Sequence, residues 1–183
     1  MSQKKNQEYK FYGWQNATVP AINNEYKGIN TPIDLYDALS EIWCAETCAP
    51  RMRDRWCKEN MTLGQCSITA FLAQDIFGGK VYGILREGGN YHCYNVVGDC
   101  VFDLTSEQFA RSNEPSDVLA QSFGDCRDMR NEVPNAYANE PSDVLSYEDN
   151  PEQFREVHFA KEEKRLRYEF LKENLKKICD MLK

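Results

Sequence analysis

Apolar positions recur at helical spacing in three stretches of the chain and at strand spacing in three others. The first helical stretch is "TPIDLYDALSEIWCAE", where Ile33, Tyr36, Leu39 and Trp43, flanked by Leu35 and Ile42, make one apolar face. Thr31 suits the N-cap, Pro32 the first helical position, and Asp34 the first turn, at the positive end of the helix dipole. The second is "LGQCSITAFLAQDIFGG", residues 63–79. Ile68, Phe71, Leu72, Ile76 and Phe77 predict a core-packed helix with Cys66 in its first turn, stopped by Gly78-Gly79. The third is the C-terminal "FAKEEKRLRYEFLKENLKKICDMLK". It predicts an amphipathic helix with Leu166, Phe170 or Leu171, Leu175, Ile178 and Leu182 on its apolar side and lysines in its last turns.

After the second helix, "KVYGILR", "YHCYNVV" and "CVFDLT" are short runs rich in β-branched and aromatic residues, separated by the turn sequences "EGGN" and "GD". They predict an antiparallel β-meander. Residues 1–30 are polar with scattered rings (Tyr9, Phe11, Tyr12, Trp14, Tyr26) and read as an irregular N-terminal arm, partly docked by those rings. Residues 31–183 then read as a single α+β domain with an excursion at about 110–147. A helix with a cysteine at its N-terminus packs on the meander, and other helices flank it. Inside the excursion "NEPSDVL" occurs at 113–119 and again at 139–145. Two copies are too few for a solenoid. A tandem duplication in a surface loop accounts for them at little entropic cost; a two-fold binding feature is the alternative.

The formal net charge of −7, with no basic block, argues against nucleic acid as a partner. No apolar run reaches the length of a membrane span, and "MSQKKNQEYK" lacks the apolar stretch of a signal peptide. A cytoplasmic protein without membrane partners is expected. The eight cysteines are then expected to be free thiols, metal ligands or catalytic groups rather than disulfides.

A cysteine nucleophile needs a base, because a free thiol is only a few per cent ionised at neutral pH. If Gly98-Asp99 is a two-residue hairpin turn, Val97 faces Cys100, Val96 faces Val101, Tyr94 faces Asp103 and His92 faces Thr105. Alternation then puts His92, Tyr94, Val96, Val101 and Asp103 on one sheet face, with Asp103 the diagonal neighbour of His92. The carboxylate would fix one ring nitrogen as N–H and leave the other to deprotonate a thiol. Cys66, at the head of its helix, gains from the dipole and from free N–H groups that can form an oxyanion hole. A helix N-terminus packed on the His92/Asp103 face would complete a Cys–His–Asp triad. Gln65 is either a second oxyanion donor or the fourth residue of a "TLGQ" capping box opened by Thr62.

Each piece also has a plain structural reading. Cys66 can be a buried thiol and Asp103 a turn cap. His158, near the charged last helix, reads as a solvated surface histidine. Cys44, Cys48 and Cys57 lie close enough for a metal or redox cluster, but there is no CxxC and no nearby histidine. Cys93, Cys100, Cys126 and Cys179 read as packing or surface thiols.

Taken in order, "GQCSITAFLAQDIFGG", "HCYN" and "DLTSEQF" resemble the YunG-like proteins, an uncharacterised bacterial family. That family's pattern is a GQC start, a QD-x-x-GG helix end, an H-Y-x-N strand and a D-L-T-x-x-Q-F segment. These fall on Gly64-Gln65-Cys66, Gln74-Asp75 with Gly78-Gly79, His92 with Asn95, and Asp103-Leu104-Thr105 with Gln108-Phe109. "RYEFL" at 167–171 resembles the family's last helix. Cys93 stands where the family has an aromatic residue, and the doubled "NEPSDVL" is foreign to the pattern. More broadly, the order Cys, His, Asp on a helix and two adjacent strands is similar to the papain-like/transglutaminase-like thiol fold, an analogy of fold that does not fix function. The resulting expectation is acyl transfer or amide hydrolysis by Cys66 (nucleophile), His92 (base, then acid), Asp103 (orienting carboxylate) and the Cys66 N–H with Gln65 at the oxyanion. No metal or other cofactor is expected. The substrate would be a small-molecule, peptide or protein acyl group. A non-catalytic binding module that keeps the fold is the alternative, and oligomeric state is not legible.

Overall fold

In the computed structural model of the protein, which describes residues 8–110 and 145–181, helix α1 (Pro32–Ser40) starts at a capping box. The Thr31 hydroxyl accepts from the Asp34 N–H at 3.4 Å, and the Asp34 carboxylate accepts from the Thr31 N–H at 2.9 Å. The helix stops at Ser40, earlier than the apolar spacing predicts. A tight turn follows, in which the Ile42 and Trp43 N–H groups both donate to the Leu39 carbonyl, so their side chains still reach the core.

Helix α2 (Cys66–Phe77) ends at Gly78, whose φ of 75° is the left-handed conformation that a residue with a Cβ rarely adopts. It is buried on more than one face: Ser67, Thr69, Ala70 and Ala73 are covered as well as the larger apolar residues. Strands β1 (Lys80–Arg86), β2 (Asn90–Val97) and β3 (Cys100–Phe102) form the antiparallel meander in the order β1-β2-β3. Val96 pairs with Val101 and Val97 with Cys100, the register a two-residue Gly98-Asp99 turn requires.

The third strand is shorter than expected. Asp103 leaves β2 and bridges the N-terminal arm, donating its N–H to the Tyr12 carbonyl at 3.0 Å. The expected Tyr94–Asp103 and His92–Thr105 pairs therefore do not form. The Asp103 side chain instead takes the Thr105 N–H at 3.0 Å, and the chain turns into the short helix α3 (Glu107–Ala110). The arm's rings dock deeply. Phe11 stacks on Tyr36 with ring centroids 5.0 Å apart, and Phe11, Tyr26 and Ile29 lie in the same buried cluster as α1 and α2.

Helices α4 (Arg155–Phe159) and α5 (Glu162–Met181) complete the described α+β fold. The buried stripe of α5 is Tyr168, Leu171, Leu175 and Cys179, with Arg167 at its upper end. Leu166 and Phe170, expected on that stripe, are 58% and 43% exposed. Arg167 accounts for this rotation: its guanidinium donates to the carbonyls of Thr47 and Gly64, at 2.8 and 2.7 Å, and turns that side of the helix inward. Leu182, Cys126 and nearly all of the "NEPSDVL" pair fall outside the described residues.

Because Phe11 is 1% exposed, Phe11→Ala is expected to lower unfolding stability by about 3–5 kcal/mol, read as a shifted urea midpoint. A change below about 1 kcal/mol would mean that the arm is not part of the core.

Candidate active site

Cys66 is the first residue of α2, so its N–H is among the amides that no intrahelical carbonyl can take, and its sulfur lies at the positive end of the dipole. The loop that delivers it is pinned from behind. At Gly64, φ is 68°, and a Cβ there would lie 2.8 Å from the Cys48 sulfur and 2.9 Å from the Ala49 nitrogen. The Gly64 carbonyl accepts from the Ala49 N–H at 3.0 Å and from Arg167 Nη2 at 2.7 Å. Arg167 is buried, and Glu163 balances its charge at 2.7 Å.

His92 sits on β2, 2% exposed, with Nε2 at 2.5 Å from Asp103 Oδ2. Every acceptor direction of that carboxylate is used. Oδ1 accepts from the Thr105 N–H and hydroxyl at 3.0 and 3.1 Å, and Oδ2 also accepts from the Tyr147 hydroxyl at 2.9 Å. The Phe109 ring stands edge-on to the imidazole, with centroids 4.7 Å apart. The other ring nitrogen, Nδ1, lies 3.5 Å from the Gln108 amide nitrogen, and the imidazole stands beside the Cys66 thiol.

The body of α2 does not lie on the His92 face. Asn95, on the opposite face of β2, donates to the Ala70 carbonyl at 2.8 Å, and Cys93 on that face stands beside Cys66. The sheet nevertheless lets the two sides meet. β3 pairs with β2 only over Asn95–Val97, and the first residue of α2 comes up against the stretch before it, with Cys66 Sγ 3.9 Å from the Tyr91 carbonyl. Cys66 and His92 both open on a cavity of about 390 Å³.

The electrostatics follow from these contacts. Hydrogen bonding from the Cys93 thiol, joined by the His92 hydrogen bond and charge, holds the Cys66 thiol well below its ordinary range despite burial. Cys93 is pushed the other way, first by its bond to Cys66 and then by burial, so the proton stays on Cys93. Burial opposes charging His92, but Asp103 and then Cys66 outweigh it and raise the imidazole to about 10. Both shifts run in the direction that favours a thiolate beside an imidazolium.

Gln65 is placed differently from both expectations. It is the N-cap residue of α2, with no side-chain capping bond, and its fully buried amide nitrogen donates to the Cys44 carbonyl at 3.1 Å. Its side chain therefore points away from the cavity, and the "TLGQ" capping box is not formed. His158 is not solvated: it is 7% exposed, its Nε2 contacts Gln153 Oε1 at 3.0 Å and its Nδ1 contacts Lys164 Nζ at 3.2 Å. Burial, with Lys164 beside it, lowers it to about 4. Cys93, read as a packing or surface thiol, interacts with the Cys66 thiol. Among the described residues no three His, Cys, Asp or Glu side chains are arranged to hold a metal, and Cys48 is a buried thiol that burial pushes up to about 11. Tyr147 and Gln108 were not predicted as site residues. Tyr147 carries no local signal, whereas Gln108 lies in "DLTSEQF" and was readable there. The other motif residues are structural: Gln74 donates to the Gly79 carbonyl at 3.1 Å, and Asp75 binds Arg155 at 2.5 Å and the Tyr168 hydroxyl.

The family model described as YunG protein matches residues 31–138. The chain is 42% identical over 55 residues to a Bacillus subtilis (strain 168) protein called Uncharacterized protein YunG. The aligned stretch is 30% of this chain and 47% of that relative, so the chain spans about half the length of the relative it matches. No solved structure matches. No helix among the described residues is long and apolar enough to cross a membrane.

The chain has two histidines, so their titrations can be followed separately by NMR. One is expected near 10 and the other near 4, with neither near the ordinary 6.5. Asp103→Asn is expected to bring the upper one down toward the ordinary range; a wild-type His92 titrating near 6.5 would contradict the buried ion pair. The stability His92 contributes is fully present below the unfolded value of about 6.5 and is lost as pH rises through about 10. The contribution of neutral His158 runs the other way, present above about 6.5 and lost as pH falls through about 4.

Proposed function

The chain belongs to the YunG family, and we propose that it is a cysteine-dependent enzyme of acyl transfer or amide hydrolysis, with Cys66, His92 and Asp103 as its working residues. The observation that carries this reading is the buried imidazole held between the Asp103 carboxylate at 2.5 Å and a thiol at a helix N-terminus, facing a cavity of about 390 Å³. A structural thiol needs neither a histidine partner nor an oriented carboxylate behind it.

The Cys66 thiolate attacks the substrate carbonyl carbon, a C–S bond forms, and the C=O π pair moves to oxygen. The Cys66 N–H, directed by the helix start, stabilises that oxyanion. Collapse re-forms the carbonyl and expels the amine or alcohol, which takes the proton of the His92 imidazolium. Water or an acceptor then gives its proton to neutral His92 as it attacks the thioester. Breakdown returns the thiolate and releases the acid or the transferred product. Asp103 keeps Nε2 protonated throughout, so Nδ1 is the nitrogen that exchanges protons. Gln65 has no part in this scheme, because its amide faces Cys44. A papain-like or transglutaminase-like layout is the fold analogy that fits this order of residues, and the partner is an acyl substrate.

Alkylation of Cys66 by iodoacetamide against pH tests the proposal. Reaction is expected to persist well below pH 8, down to the lowered thiol range, and His92→Ala is expected to raise the apparent value toward the ordinary 8.5, with the Cys93 contact still holding it below. A wild-type value near 8.5 that His92→Ala leaves in place would favour the non-catalytic binding module.

A further inference from the structure

Cys93 is a buried thiol for which the scheme above has no use, and it lies under the reactive one. Tyr91, Cys93 and Asn95 alternate onto one face of β2, and α2 covers that face. The contacts at either end fix where Cys93 falls. Cys66 Sγ is 3.9 Å from the Tyr91 carbonyl, and the Asn95 amide donates at 2.8 Å to the carbonyl of Ala70, one turn further along α2. Cys93, midway between Tyr91 and Asn95, is thereby brought under the first turn of the helix, where the two thiols interact. Both are free thiols, and their surroundings differ. Cys66 lines the cavity of about 390 Å³, whereas Cys93 is 1% exposed and belongs to the apolar core. A small oxidant entering the cavity therefore meets Cys66 first, with Cys93 behind it.

We propose that Cys66 and Cys93 form a peroxide-reactive pair, in which hydrogen peroxide oxidises Cys66 and Cys93 then closes a disulfide on it. This rests on the reactive thiol of the reading above. In the first step the Cys66 thiolate attacks one peroxide oxygen. An S–O bond forms, the O–O bond breaks, and the hydroxide released takes the proton of the His92 imidazolium and leaves as water. The sulfur is oxidised to a sulfenic acid and the peroxide is reduced by the same electron pair. In the second step the Cys93 sulfur attacks the Cys66 sulfur. An S–S bond forms, the S–O bond breaks, and the leaving hydroxide takes the Cys93 proton to give a second water. The first step prepares the second. Contact with Cys66 and burial both hold the proton on Cys93, and the Cys66 share ends once the thiolate has become a neutral sulfenic acid. The disulfide occupies the nucleophile, keeps it from irreversible sulfinic acid, and is reopened by a dithiol reductant.

Peptide mapping of the oxidised full chain tests it. The reduced protein is treated with hydrogen peroxide, remaining thiols are blocked with iodoacetamide, and tryptic peptides are read by mass spectrometry without reduction. The expected product is the Cys66 peptide joined to the peptide that carries Cys93. Fragmentation is expected to place the bond at Cys93 and to find Cys100, on the same peptide, alkylated. Dithiothreitol is expected to return Cys66 to iodoacetamide. In Cys93→Ala the Cys66 sulfenic acid is expected to accumulate, read as a several-fold gain in dimedone labelling, and to pass on to sulfinic acid that dithiothreitol does not rescue. The wild-type linkage decides the matter even if Cys93→Ala fails to fold. A wild-type Cys66 that iodoacetamide alkylates at neutral pH, yet that stays reduced under peroxide, ends as sulfinic acid or pairs with a different cysteine, overturns the proposal and leaves the thiol reading standing. A Cys66 inert to iodoacetamide at neutral pH overturns the thiol reading, and this proposal with it.

Discussion

The Asp103 carboxylate is the group on which the described structure most depends. It is 1% exposed and accepts four hydrogen bonds, from His92, from the Tyr147 hydroxyl and from the N–H and hydroxyl of Thr105. A buried carboxylate without such partners is strongly unfavourable. The surrounding chain is arranged to supply them. The Thr105 bonds end β3 early, the Asp103 N–H bridges to Tyr12, and Tyr12 in turn stacks on Tyr147 with ring centroids 3.7 Å apart. One charge thus joins the N-terminal arm, the sheet edge and the segment before α4, and it fixes the tautomer of the histidine behind Cys66.

A second buried charge does the matching work for the thiol. Arg167 reaches from the last helix to Thr47 and Gly64, residues 120 and 103 positions away in the chain. It holds the carbonyls of a loop whose glycine has no room for a side chain. Cys66 is therefore positioned by contacts to backbone rather than by its own packing, which leaves its sulfur available to His92 and the cavity. Hydrogen bonds from charged donors to carbonyls are stronger than neutral ones. That suits a loop which holds the Cys66 backbone at a fixed place.

Much of this was readable in one dimension. The cap at Thr31, the glycine stop after α2, the meander and its register at Val96–Val101 all rest on local turn chemistry and side-chain period, and the structure has them. Where local rules failed, a distant partner had intervened. The third strand ended early because the arm competed for the Asp103 backbone. The last helix turned Leu166 and Phe170 outward because Arg167 was pulled inward. The charged neighbours of His158 predict a surface residue, yet α5 folds Lys164 over it.

The sequence by itself determined which elements form and in what order, since caps, turns and hydrophobic period act over a few residues. It also fixed the hairpin register as far as Asn95–Phe102, because a two-residue turn leaves no choice of parity, while the His92–Asp103 contact forms where Asp103 has already left the ladder for Tyr12. Only the tertiary structure decided which face α2 covers, that Cys93 rather than Gln65 stands beside the Cys66 sulfur, and that arginines from separate segments gather over it. Those outcomes depend on how whole elements pack, and packing couples residues a hundred positions apart that no local pattern links.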